Sequence, residues 1–170
     1  FDEIDFDKLP NQFVLKCTHD SGGLVICRDK TQFDFEKAKV KITECLKNNY
    51  YWHGREWPYK KLKPRIIAEQ YMEDSSCKDL NDYKFFCFNG VVKFMKIDFD
   101  RSYNHGANYY DLEMNLLPFG ENECPPNPNK KFDKPKNFHL MINLAQQLSK
   151  DFPFVRVDFY NINGAIYFGE

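Results

Sequence analysis

The sequence predicts an α+β chain made of antiparallel sheets with few helices. Three observations carry this. Two pairs of alternating runs are joined by Asn-Gly, at Asn89-Gly90 and Asn163-Gly164, the dipeptide favoured in tight hairpins. Two stretches with apolar residues at helical spacing follow capping residues, Asp34 and Asn137. The early part reads strand, glycine-ending loop, strand: Phe13–Lys16, Cys17–Gly23 and Leu24–Cys27.

With 170 residues the chain is one domain or part of one. It starts at Phe1 and stops on a strand at Glu170, so a fragment of a longer protein is expected. Aromatics are 17% of the residues, enough for a large core. The net charge of −1 argues against nonspecific nucleic-acid binding. No run approaches a membrane span and no signal peptide is visible. Cys17, Cys27, Cys45, Cys77, Cys87 and Cys124 show no C-x-x-C pair, which points to buried reduced thiols rather than disulfides or zinc ligands.

Along the chain, small residues in the THDSGG loop let backbone N–H groups approach an anion, and Lys16 before it adds a point charge. His19 and Asp20 read as solvated turn residues. The helix after Asp34 runs to about Asn48, with Phe35, Ala38, Ile42, Cys45 and Leu46 inward. In the basic, aromatic connector 50–63, Trp52 and Trp57 read as packing anchors and Arg55–Glu56 as an ion pair. Ile66–Ala68 reads as a buried strand ending at Glu69, an acid able to accept from an exocyclic amine. The segment 72–81 is a polar loop. Residues 102–137 form a long connector, aromatic and then proline-rich, in which His105 is as readily structural as catalytic. The helix after Asn137 turns Phe138, Met141, Ile142, Ala145 and Leu148 inward until Pro153.

The hairpins carry the candidate chemistry. In the first, the two-residue turn pairs Phe88 with Val91 and Lys84 with Met95. Tyr83, Phe85, Cys87, Val92 and Phe94 then form a core face. Asp82, Lys84 and Arg101 share the other, an acid for ribose hydroxyls beside two cations for phosphate. In the second, loop length decides the face. A two-residue turn puts Asp158 and Glu170 on opposite faces. A three-residue loop with Gly164 left-handed puts Arg156, Asp158 and Glu170 together, the acids roughly 7–8 Å apart between backbones. Such carboxylates can hold a hard cation, and the arginine can meet a phosphate or oxyanion. A merely solvated face remains the alternative.

The pieces FVLKCTHDSGG, REWPYK, PRIIAEQY, DYKFFCFNG, KDFPFVRVDFYN and IYFGE, in this order, resemble the ATP-grasp fold. RVDF with a Glu twelve residues after the Asp is similar to the metal hairpin of D-alanine–D-alanine ligases and glutamate-adding ligases. The wording is closer still to the TupA-like ATP-grasp family, linked to teichuronopeptide and other cell-surface polysaccharide synthesis. The resemblance implies an ATP-grasp domain over 1–170, truncated at both ends. It implies a phosphate-loop lobe near 10–68 and a metal-site lobe near 69–170, each an antiparallel sheet with helix, and the nucleotide between them. It implies ATP and Mg²⁺ as cofactors. Lys16 would bind the α/β-phosphates under a lid of Thr18 to Gly23, including Ser21 and Gly22. Glu69 with the backbone of Gln70, Tyr71 and Met72 would hold adenine, and Asp82 the ribose. Lys84 and Arg101 would be catalytic cations and Arg156 would stabilise the intermediate. Asp158 and Glu170 would be the Mg²⁺ ligands.

The activity so implied is a carboxylate–amine ligase acting through an acyl phosphate, with polymer-linked or small-molecule substrates. Its place would be the cytoplasm, with the inner membrane face as an option. Two other readings stand beside it: a glycosyltransferase-like or kinase-like enzyme of polysaccharide assembly, and a non-catalytic nucleotide-binding module.

Overall fold

The computed structural model describes residues 1–74 and 79–169. The chain divides into two compact units, Phe1–Met72 and Glu73–Glu170. Cys77 and Glu170, both named above, lie outside the described residues.

The first unit holds a three-stranded antiparallel sheet, order β2-β1-β3, with β1 Phe13–Cys17, β2 Leu24–Cys27 and β3 Ile66–Gln70. β1 alternates buried and half-buried because its odd positions face helix α1 (Phe35–Lys47). Phe13, Leu15, Cys17, Cys27 and Ile42 make that core. Asp34 caps α1 as expected, its carboxylate accepting from Lys37 N. A short helix α2 (Tyr51–Gly54) and a 3₁₀ turn (Trp57–Lys61) fill the connector to β3.

Several expectations here need correction. β3 is an exposed strand at the sheet edge, not a buried one. It extends through Glu69 and Gln70. His19 is buried, with Nε2 3.2 Å from Leu46 O, because Tyr50 N donates to its carbonyl and draws the loop inward. Trp52 and Trp57 are not core anchors: they are 64% and 67% exposed and touch the Tyr51 ring at the surface. Arg55 makes no ion pair with Glu56 among the described residues. Its guanidinium lies over the Tyr51 and Trp52 rings instead.

The second unit is a five-stranded antiparallel sheet, order β6-β5-β4-β7-β8, with helix α3 (Phe138–Ser149) on one face. Its strands are β4 Asp82–Phe88, β5 Val91–Phe99, β6 Gly106–Tyr110, β7 Phe154–Ile162 and β8 Ala165–Phe168. Tyr83, Phe85, Cys87, Met95, Ile97, Val157 and Phe159 pack on Phe138, Met141 and Ala145. Both Asn-Gly turns have positive φ at both residues (49° and 75°, 55° and 95°), the two-residue hairpin geometry.

The first hairpin contains a bulge at Lys93 on β5, opposite the step from Phe86 to Cys87 on β4. Lys84 therefore pairs with Lys96, not Met95, and Phe94 leaves the core face to stack on Phe86, centroids 4.6 Å apart. The second hairpin pairs Ile162 with Ala165 and Phe159 with Phe168. The three-residue loop is thus not formed. The connector 102–137 conceals β6, where Asn108 is fully buried and bonds Tyr110 Oη and the carbonyls of Asn127 and Lys130. Asn137 sits at φ 60° and does not cap α3; its amide donates to Gly164 O. Leu148 is half exposed, and Ser149 takes the buried position. No helix among the described residues is long and apolar enough to cross a membrane.

Candidate functional site

Period-two alternation puts the charged residues of β4, β5 and β7 on the sheet face opposite α3. Lys84 pairs in register with Lys96 on one side and Asp158 on the other; Asp82 pairs with Asp98 and Tyr160. The Lys84 ammonium lies 2.5 Å from Asp158 Oδ2, 2.6 Å from Asp82 Oδ2 and 3.7 Å from Asp98 Oδ2. Arg156 donates through Nε and Nη2 to both Asp158 oxygens at 2.8 and 2.9 Å. Arg101 Nη1 donates to Asp82 at 3.0 Å, and Lys96 to Glu121 at 2.8 Å. Asp82, Lys84, Lys96, Asp98 and Asp158 are all buried.

Counting Asp82, Asp98, Asp158 and Glu121 against Lys84, Lys96, Arg101 and Arg156, four negative charges meet four positive. Burial alone would lower the Lys84 pKa, but Asp82 and Asp158 outweigh it and hold it above its ordinary value. Lys96 is likewise held up, by Glu121 and Asp98 against burial. Burial pushes the Asp82 carboxyl up, against the pull of Lys84 and Arg101. The ammonium at the centre of three carboxylates is the dominant element of the cluster.

The structure brings Asp82, Lys84, Arg101, Arg156 and Asp158 together in this one network. Sequence reasoning missed Lys96, Asp98 and Glu121. The signal for the first two is the K-x-D spacing of β5, which mirrors D-x-K in β4, but the bulge hides their pairing. At the margin, Cys124 Sγ lies 3.3 Å from His105 Nδ1, and His105 Nε2 lies 3.7 Å from Asp98 Oδ1. That oxygen is buried without a hydrogen bond, although Lys96 Nζ is 3.3 Å away.

The residues named for nucleotide in the first unit form a separate set. Lys16 and Glu69 project from adjacent strands and pair at 2.5 Å, each side chain about 40% exposed. Thr18 is held to the start of β3, its N–H on Arg65 O and its hydroxyl on Lys63 O. Ser21 and Gly22 are exposed, and Gly22 has φ 85° with open space where a side chain would be. At Gly23 a Cβ would meet Asp20 and Cys45 within 3 Å, so the loop closes onto α1 only with glycine there. Gln70 ends β3 opposite Phe13, Tyr71 stacks under Arg28, and Met72 follows. A cavity of about 610 Å³ opens between β2 and α1, lined by Ile26, Arg28, Phe33 and Lys41 among others; none of the residues named for nucleotide lines it.

Asp158 is an oxygen donor of the kind a hard cation takes. Both its oxygens are engaged by cations, and no group of three or more His, Cys, Asp or Glu among the described residues could hold a metal. Lys84 supplies the positive charge beside Asp158.

A family model described as "TupA-like ATPgrasp" matches residues 1–170. No curated protein matches. Among solved structures the chain is similar to a D-alanine–D-alanine ligase from Helicobacter pylori, at 11% identity and TM-score 0.42. The match covers 99% of this chain and 43% of that one.

Proposed function

The chain belongs to the TupA-like ATP-grasp family, and from that premise we propose that it is the ATP-using part of a carboxylate–amine ligase. The observation that carries this reading is the family match over all 170 residues. The buried Lys84–Asp158–Arg156 network supports it, being a rigid, charge-dense surface of the kind phosphoryl transfer needs.

In this reading Lys16 and the 18–23 loop hold the phosphates. Glu69 and the Gln70–Met72 backbone take adenine, and Asp82 the ribose. The Lys16–Glu69 pair opens when ATP binds, exchanging one anion for another on Lys16 and freeing Glu69. Lys84 and Arg101 keep positive charge beside the reacting phosphate. Asp158 would offer its carboxylate to Mg²⁺, which when bound neutralises polyphosphate charge.

A substrate carboxylate oxygen attacks the γ-phosphorus as its bond to the ADP oxygen breaks, giving an acyl phosphate and ADP. An amine then attacks the acyl carbon, phosphate leaves, the nitrogen loses a proton, and an amide results. Arg156 donates to the oxyanion formed in that second step. The product would be an amino-acid or peptide linkage in cell-surface polysaccharide synthesis, made in the cytoplasm. The test is calorimetry with Mg-ATP, GTP and UDP-sugars, followed by hydroxylamine trapping with a panel of amino acids. ATP preference with a trapped hydroxamate is expected. UDP-sugar preference, or turnover with no hydroxamate, sinks the reading in favour of sugar or phosphoryl transfer.

A further inference from the structure

Residues 50–65 of the first unit form an exposed surface that the ligase reading leaves unused. Trp52 and Trp57 are 64% and 67% exposed, and Leu62 43%. Between Arg55 and Arg65 stand five cations, Arg55, Lys60, Lys61, Lys63 and Arg65, against one acid, Glu56. All five are exposed, and among the described residues none makes an ion pair. The chain as a whole carries only −1, so this positive charge is local. Its aromatic rings and cations are interleaved. Lys60 Nζ lies 4.5 Å from the Trp57 centroid and 5.2 Å from that of Tyr51; Arg55 lies 5.4 Å from Trp52.

We propose that this α2–3₁₀ surface adsorbs the protein to an anionic phospholipid bilayer. An indole is amphipathic and settles at the headgroup level, where its apolar body leaves water and its N–H stays wet. Lysine and arginine beside it keep their charge at the phosphates while their stems cover apolar surface. Two indoles and a leucine among uncompensated cations supply both terms of peripheral binding, apolar burial and attraction to anionic lipid. The short helix lies at the surface and does not cross it.

The chain contains no tryptophan other than these two, so its indole fluorescence reads this surface alone. Phosphatidylcholine vesicles with phosphatidylglycerol should shift the emission to shorter wavelength and sediment the protein. Phosphatidylcholine alone should do neither. Raising salt should reverse both effects, because the attraction is screened. Lys60→Glu with Lys61→Glu, at exposed positions outside the core of the first unit, should abolish sedimentation. Trp52→Ala with Trp57→Ala should weaken it several-fold. An emission unchanged by anionic vesicles overturns the proposal, as does undiminished sedimentation of the charge-reversed variant. An equal shift with soluble polyglutamate also overturns it, since the surface would then read an acidic polymer rather than a bilayer.

Discussion

Lys84 and Asp158 face each other across the β4–β7 ladder, with Lys84 Nζ 2.5 Å from Asp158 Oδ2. The pair ties the hairpin that carries Arg156 to the centre of the sheet, at a buried position. A charge pair so placed costs desolvation to form and costs more to break, because each half leaves the other buried. The network is therefore at once a candidate site and a structural element, and substitutions within it must be read on both axes.

Lys84→Met should destabilise the protein by about 3–5 kcal/mol at neutral pH, since Asp82, Asp98 and Asp158 lose their shared cation. The alkaline side follows from linkage. Lysine titrates near 10.5 in the unfolded chain, and the folded Lys84 pKa is higher. Its stabilisation is thus complete below 10.5 and is lost as pH rises through the folded value. Asp82, also raised, is most favourable below 3.8 and loses that contribution as pH rises through its folded pKa, the opposite end of the scale from Lys84. Urea unfolding from neutral to strongly alkaline pH should show a limb above 10.5 that is shallower in Lys84→Met. Identical limbs would remove Lys84 from the account; Lys96 alone would then carry it.

Gly164→Ala should cost about 1–2 kcal/mol, because φ is 95° there and an L side chain resists the left-handed region. A Cβ would also meet Lys136 Cβ at 3.2 Å. Thermal melting reads the loss. Gly22→Ala is the comparison, with φ 85° but open space around it, and should cost no more than the conformational part.

Lys16→Ala should barely change stability, by about 0–1 kcal/mol, because its pair with Glu69 is about 40% exposed and water competes for both groups. If Lys16 holds phosphate, the same change should weaken Mg-ATP binding at least tenfold by calorimetry. Unchanged affinity would reduce the pair to a surface contact.

The sequence reading was strongest where local chemistry decides the outcome. Asp34 as a cap, α1, and both Asn-Gly turns lie where expected, because cap and turn residues act within a few positions. It failed where a residue's place depends on distant chain. The bulge at Lys93 shifts β5 so that Lys96 meets Lys84, and no local pattern marks it. β6 is hidden because the centre of its buried run is Asn108, polar yet satisfied by carbonyls about twenty residues on. Trp52 and Trp57 lie outward although their type suggests packing anchors, because an amphipathic ring beside lysines can stay at the surface. D-x-K and R-x-D put Asp82 with Lys84, and Arg156 with Asp158, on one face of their strands, while the bonds among them needed three strands in register.

Asp158→Asn tests the network most directly. Charge alone would suggest a neutral effect on the fold, since acids repel and an amide is isosteric. The geometry argues otherwise. Asp158 accepts from Arg156 twice and from Lys84 once, so the amide must turn one NH₂ toward a cation. Lys84 keeps Asp82, and Arg156 is 39% exposed and can turn to water, which moderates the loss to about 3 kcal/mol. The double variant Asp158→Asn with Lys84→Met should then lose less than the sum of the single ones, a coupling of about 1–3 kcal/mol for residues in contact. On the functional axis, Asp158→Asn should abolish turnover and shrink the melting shift produced by Mg-ATP, because that shift follows affinity. Arg156→Lys should keep most of the shift yet lose rate, if the guanidinium acts on the oxyanion. Melting with and without Mg-ATP, alongside phosphate release, separates these outcomes. Should Asp158→Asn keep both its stability and its turnover, the buried pair is neither a strut nor a metal ligand, and the site must be sought elsewhere on the sheet.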